Sequence, residues 1–151
     1  MDKEYAKSKK IDRSSWKPGP WDNEPDYCEW TTSLGDPVWM ARLPSGTWFY
    51  VLETPYPSDI KATTSQAFHH CMRDKTNYEI ELSPGMGWKI RDGIYAHCGS
   101  MEHWEAPGKS ERTWWRGPYK TLEDVKQIAE TLSRVASEVL KEEKYKTYFE
   151  R

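Results

Sequence analysis

Nine tryptophans in 151 residues set the terms on which this chain can fold. Each indole brings a large flat face to bury or stack, and one N–H donor that needs a partner once it leaves water. Most of them stand beside Gly, Pro, Arg or a carboxylate, as in Trp16-Lys17-Pro18-Gly19-Pro20-Trp21-Asp22 and Trp114-Trp115-Arg116-Gly117-Pro118. Leu, Ile and Val build a core with no donor to satisfy. Indoles at this density therefore point to stacking and interface surfaces as well as to filler.

The elements that hold those indoles can be read from period and punctuation. Residues 1–15 are charged and poor in apolar anchors, so they are expected to be a disordered arm. Trp16 to Trp21 cannot be helical, because two prolines flanking a glycine remove backbone donors; an extended strap is expected. Pro37–Leu43 and Thr47–Thr54 are aromatic and β-branched runs joined by Pro44-Ser45-Gly46, a hairpin signature. Alternation puts Trp48, Tyr50 and Leu52 on one face, with Phe49 and Val51 on the other.

Further along, Ser65–Asp74 reads as a short helix or an irregular excursion, and Tyr78–Leu82 as a strand followed by a turn at Ser83–Gly87. Trp88–Cys98 reads as one longer strand kinked at Asp92-Gly93, and Arg112–Trp115 as a further short strand. Leu122, Val125, Ala129, Leu132, Val135, Ala136, Val139 and Leu140 recur at helical spacing and form one apolar stripe. Thr121 is its natural N-cap, with Asp124 suited to the first turn. The expected fold class is α+β: a twisted, mostly antiparallel sheet packed against one long carboxy-terminal helix. A single domain is expected over 16–143, with a charged tail over 144–151.

Charge bounds the partners. With 24 acids and 22 bases the net charge is −2, which gives no general attraction to long nucleic acid or an anionic membrane. No apolar run approaches the roughly 20 residues needed to cross a bilayer. The amino terminus lacks a secretory stretch, so the cytoplasm is the expected location. Three cysteines, Cys28, Cys71 and Cys98, have no repeated spacing and read as reduced structural thiols.

Three clusters could carry chemistry. The first is Trp21, Asp22, Glu24 and Asp26 with Trp30, acids and indoles on a proline-stiffened segment. Carboxylates so close repel, so each must bind a backbone amide, an arginine or a cation. The cluster is either a structural strap or the rigid acidic wall of a ligand site. The second is Arg91, Tyr95 and His97, which alternation along one strand would place on a single face. A guanidinium fork, a ring and a titratable donor suit a planar anion; a solvated polar face is the plainer alternative. The third is Trp115 with Arg116, able to stack a base and hold a phosphate, or simply to finish a core.

His69-His70-Cys71 and His97-Cys98 with His103 offer ligand types but no metal-site spacing, so no metal and no cofactor is expected. His97 or His103 could serve as acid and base in phosphodiester hydrolysis.

Gly19-Pro20-Trp21-Asp22-Asn23-Glu24-Pro25-Asp26, then Glu29-Trp30, Trp48-Phe49-Tyr50-Val51, Asp92-Gly93-Ile94-Tyr95, Trp114-Trp115 and the Tyr119–Val125 helix start occur in this order. The series resembles a family of small uncharacterised phage and prophage proteins with a GPWDNEPD-type opening, over roughly Gly19 to Ala136. Where that family has His-Gly-Gly, this chain has Arg91-Asp92-Gly93. Where it has Gly-Phe-Asp with a further His and Asp, this chain has Arg116-Gly117-Pro118. The resemblance implies a phage accessory setting, including counter-defence, and the missing His and Asp shift the expectation from catalysis to binding.

The leading expectation is capture, without turnover, of a small anionic nucleotide-like molecule such as a bacterial immune signal. It would lie between the strap and the Arg91/Tyr95/His97 face. The alternatives are a protein-binding inhibitor or structural accessory protein with an exposed indole patch, and a small phosphodiesterase. A homodimer is compatible with each.

Overall fold

A computed structural model describes residues 2–55, 87–91, 94–108 and 114–141. Its elements are α1 (Lys3–Ser8), a 3-10 turn (Pro20–Asn23), β1 (Tyr27–Thr31), β2 (Pro37–Arg42), β3 (Trp48–Pro55), β4 (Gly87–Arg91), β5 (Ile94–Ser100) and α2 (Leu122–Lys141). The strands form one sheet in the order β1-β2-β3-β5-β4, with every neighbouring pair antiparallel. With α2 packed on it, this is the expected α+β architecture.

The β2–β3 hairpin is the spine. Gly46 takes a φ of +91°, a left-handed conformation that a side chain resists, and its N–H donates to the Leu43 carbonyl at 2.8 Å. Beyond the turn the alternation runs as expected. Trp48, Tyr50 and Leu52 enter the main core with Val125, Ala129, Leu132 and Ala136 of α2. Val51 faces a second cluster with Trp39, Ala41 and Ala6, and Phe49 packs against it. The sheet is covered on both sides, which explains how a chain with so many aromatics finds room for them.

Helix α2 begins as its sequence dictates. The Asp124 N–H donates to Thr121 Oγ1 at 3.1 Å and the Thr121 N–H donates back to Asp124 Oδ2 at 2.9 Å, a reciprocal capping box. Midway along, fully buried Ser133 donates to Asp36 Oδ2 at 2.6 Å and lies 2.8 Å from Thr32 Oγ1. This pins the β1–β2 turn to the helix with its buried polar groups paired.

Two expectations are corrected. The stretch read as a disordered arm contains α1, capped by Asp2, whose Oδ1 accepts the Tyr5 N–H at 2.8 Å. Its Ala6 is buried in the second cluster, so one small apolar residue on the right side of a short helix supplies the anchor that composition hid. The single long strand over Trp88–Cys98 is instead two antiparallel strands, with Arg91 opposite Ile94 and Ile90 opposite Tyr95. Asp-Gly between apolar runs favours a two-residue hairpin connection over a kink.

The helix or excursion at Ser65–Asp74, the strand at Tyr78–Leu82 with its following turn, and the tail over 144–151 lie outside the described residues. So do Arg112 and Thr113 of the last expected strand; Trp114 and Trp115 are described and belong to no strand.

Candidate functional site

The acidic strap closes around an arginine. Trp21 is buried, donates its indole N–H to the Lys17 carbonyl at 2.7 Å, and meets Tyr119 edge-on at 5.1 Å. Asp22 turns back on its own segment, its Oδ2 accepting the Gly19 N–H at 3.1 Å. Glu24 accepts the Tyr119 hydroxyl on Oε1 at 2.7 Å and the Leu122 N–H on Oε2 at 2.6 Å. That second bond places a carboxylate at the positive end of α2. Asp26 Oδ1 receives Arg13 Nη2 at 2.5 Å and Nε at 3.0 Å. Arg13 also donates to the carbonyls of Trp21 and Glu24, at 3.1 and 2.7 Å.

At the centre lies Arg42, whose side chain has 0% of its surface exposed. Its Nη1 donates to the Gly46 carbonyl at 2.8 Å and to the Tyr119 hydroxyl. Its Nη2 lies 3.4 Å from Glu24 Oε1, and its Nε 3.7 Å from Asp26 Oδ1. The guanidinium carbon stands 3.9 Å from the Trp48 ring centroid and 5.3 Å from that of Trp16. Burial pushes the Tyr119 hydroxyl above the ordinary phenol range; its bond to Glu24 adds to this and Arg42 opposes it. Among the described residues, Arg42 Nε and the indole N–H groups of Trp48 and Trp104 have no hydrogen-bond partner. Cations lie over the rings of both indoles, Arg42 over Trp48 and Lys120 4.1 Å from Trp104, contacts made to the π face and not to the N–H.

The strap residues are thus brought together with one another and with Tyr119, Arg13 and Arg42, the two arginines being ones that sequence reasoning did not single out. One signal was present: Arg42 is the only charged residue in the β2 run PVWMAR. Chemically the arrangement is a charge-balanced clamp joining strap, hairpin and helix start.

The remaining expected residues lie elsewhere. Trp30 is half-buried against the main core, with Lys126 Nζ 5.4 Å from its ring. Arg91 pairs with Ile94, one step out of phase with Tyr95 and His97, so the three do not share one alternation; the hairpin reversal is the reason. Tyr95 pairs with Thr54 and His97 with Leu52. Asp26 leads into β1 at one edge of the sheet and Arg91 ends β4 at the other. Four strand spacings separate these edges, roughly 20 Å, so Asp26 and Arg91 do not face one another across a single cleft.

Trp115 is half-buried and Arg116 exposed, and Trp114 beside them is 62% exposed. Their segment is held by two backbone bonds, Arg116 N–H to the His103 carbonyl at 2.8 Å and Glu105 N–H to the Gly117 carbonyl at 3.0 Å. No protein-family model, curated protein or solved structure matches this chain.

A concavity of about 360 Å³ opens on the far side of the sheet, lined by Lys3, Glu29, Trp30, Thr31, Trp39 and Glu53 among others. Among the described residues, no group of three or more His, Cys, Asp or Glu is placed to hold a metal ion. Cys28 and Cys98 are in no disulfide among the described residues, whereas His69, His70 and Cys71 lie outside them. No helix among the described residues is long and apolar enough to cross a membrane.

Proposed function

We propose that this chain is a non-catalytic binding protein that captures a small nucleotide-like anion on the Trp114–Arg116 surface. The observation that carries the reading is a tryptophan left 62% exposed two positions from an exposed arginine, Arg116, on a segment pinned by backbone bonds. An open aromatic face stacks a base, and a guanidinium fork takes a phosphate. The strap acids support this placement indirectly, because Glu24 and Asp26 already have charged partners inside the fold. The resemblance to phage and prophage proteins favours a counter-defence setting, in which a signalling nucleotide is withdrawn and not cleaved.

Calorimetric titration against cyclic di- and oligonucleotides and ADP-ribose derivatives tests it. Heat with at least one member is expected, and Trp114→Ala should weaken that binding by about 1–3 kcal/mol, the worth of one base–aromatic stack. Silence across the panel, or full binding by Trp114→Ala, contradicts it.

The same exposed indole favours a second reading, a protein partner anchored by Trp114. In that case Trp114→Ala abolishes capture of a partner from host lysate while the nucleotide panel stays silent.

A further inference from the structure

We propose that the concavity between α1 and the β1–β3 face is a binding site for a compact organic cation, an alkylammonium or alkylguanidinium group. The ligand has the opposite charge to a nucleotide and sits on another part of the molecule, so the inference stands apart from the function proposed above.

The ionisable groups lining the concavity are Glu29, Glu53 and Lys3, two carboxylates against one ammonium. Glu29 is already served: Lys3 Nζ lies 3.5 Å from its Oε2, and the Tyr27 hydroxyl donates to the same oxygen at 2.5 Å. Glu53 is not. It makes no hydrogen bond or ion pair with any described residue, and its cross-strand neighbour on β5 is Ala96, whose methyl group offers no donor. A half-buried carboxylate without a donor carries part of its desolvation cost uncompensated. A bound cation removes that cost, whereas an anion adds repulsion from both glutamates.

The walls suit the same ligand. Trp39 lies in an aromatic row, its ring 6.4 Å from Tyr27 in a near-parallel stack and 5.7 Å from Phe49. An electron-rich ring beside a carboxylate that has no partner among the described residues attracts a polarised N–H or N–CH₃ group through ring quadrupole and charge together. The volume, about 360 Å³, falls within the usual range for small-molecule sites. The Lys3 ammonium, about half exposed, occupies the rim as a built-in competitor.

Titration of the full chain with butylguanidinium, and with butylurea as its uncharged isostere, tests the proposal. Butylguanidinium should bind one to one, weakening as salt rises, and butylurea should give no heat. Glu53→Gln, whose fold is checked by circular dichroism, should lose about tenfold in affinity. Lys3→Ala removes the competing charge from an exposed position and should tighten binding. Equal binding of the two probes, an unchanged affinity in Glu53→Gln, or an unchanged or weaker affinity in Lys3→Ala overturns the proposal. So does the absence of butylguanidinium binding at millimolar concentration.

Discussion

Arg42 enters the core as the one charged residue of an apolar strand, and a guanidinium survives there only with its charge matched and its faces covered. Glu24 and Asp26 supply the charge; Trp48 and Trp16 supply the faces. Removing one partner of such a pair leaves a buried charge exposed to nothing but low dielectric, which costs about 3–5 kcal/mol. Arg42→Met should therefore lower the denaturant-extrapolated stability by up to about that amount, with Glu24 keeping its Tyr119 and Leu122 donors but losing its counter-charge. Arg42→Lys should recover little of it, because an ammonium cannot lie flat between indoles or reach Gly46 and Tyr119 together.

A pH effect follows from the neighbouring phenols. Burial pushes the hydroxyls of Tyr50 and Tyr119 above the ordinary tyrosine value of 10.0. The folded chain thus keeps both neutral where the unfolded chain ionises, so their contribution is complete below pH 10 and lost as pH rises beyond it. Urea midpoints should hold from pH 8 to near 10 and then fall, and Tyr119→Phe should blunt the fall. A flat profile to pH 11 contradicts this.

At the scale of elements, period and punctuation carried most of the information. The Trp48/Tyr50/Leu52 alternation, the α2 stripe and the Thr121 cap are each a local rule written in a few residues, and each is realised in the fold. Thr121→Ala should accordingly cost about 1 kcal/mol of stability in chemical denaturation. Gly99 is a sharper case: a Cβ there would run into the ring of fully buried Tyr50, its register partner on β3, so Gly99→Ala should destabilise well beyond a surface change.

Local rules failed where two of them competed. Asp92-Gly93 inside an apolar run reads equally as a bulge or as a turn, and the choice reverses the chain and moves Arg91 out of phase with Tyr95. Likewise α1 is too short and polar to declare itself, since its place depends on one buried alanine joining the cluster of Trp39, Ala41 and Val51 on one face of the sheet. The need of the strap carboxylates for donors was legible. Which arginines would answer was not, because Arg13 and Arg42 reach them only through tertiary packing.

On the scale of the whole molecule, the eight indoles whose burial is described divide by role. Trp21, Trp39, Trp48 and Trp104 are buried, Trp16 and Trp30 edge the core, and Trp114 stands open to solvent with Trp115 half-covered behind it. The near balance of 24 acids and 22 bases is met in part inside the fold, at the Arg42 clamp, so net charge says little about what the exterior attracts. In the proposed reading the conspicuous motif and the working surface are separate: the strap holds the molecule together, and the Trp114–Arg116 segment would meet the ligand. Indole and backbone N–H NMR signals, followed while a cyclic dinucleotide is added, test that separation most directly. The Trp114 and Trp115 indoles and the Arg116 amide should shift while the Trp21 indole and the Glu24 amide stay in place. Shifts centred on Trp21 and Glu24, or none at all, would contradict it.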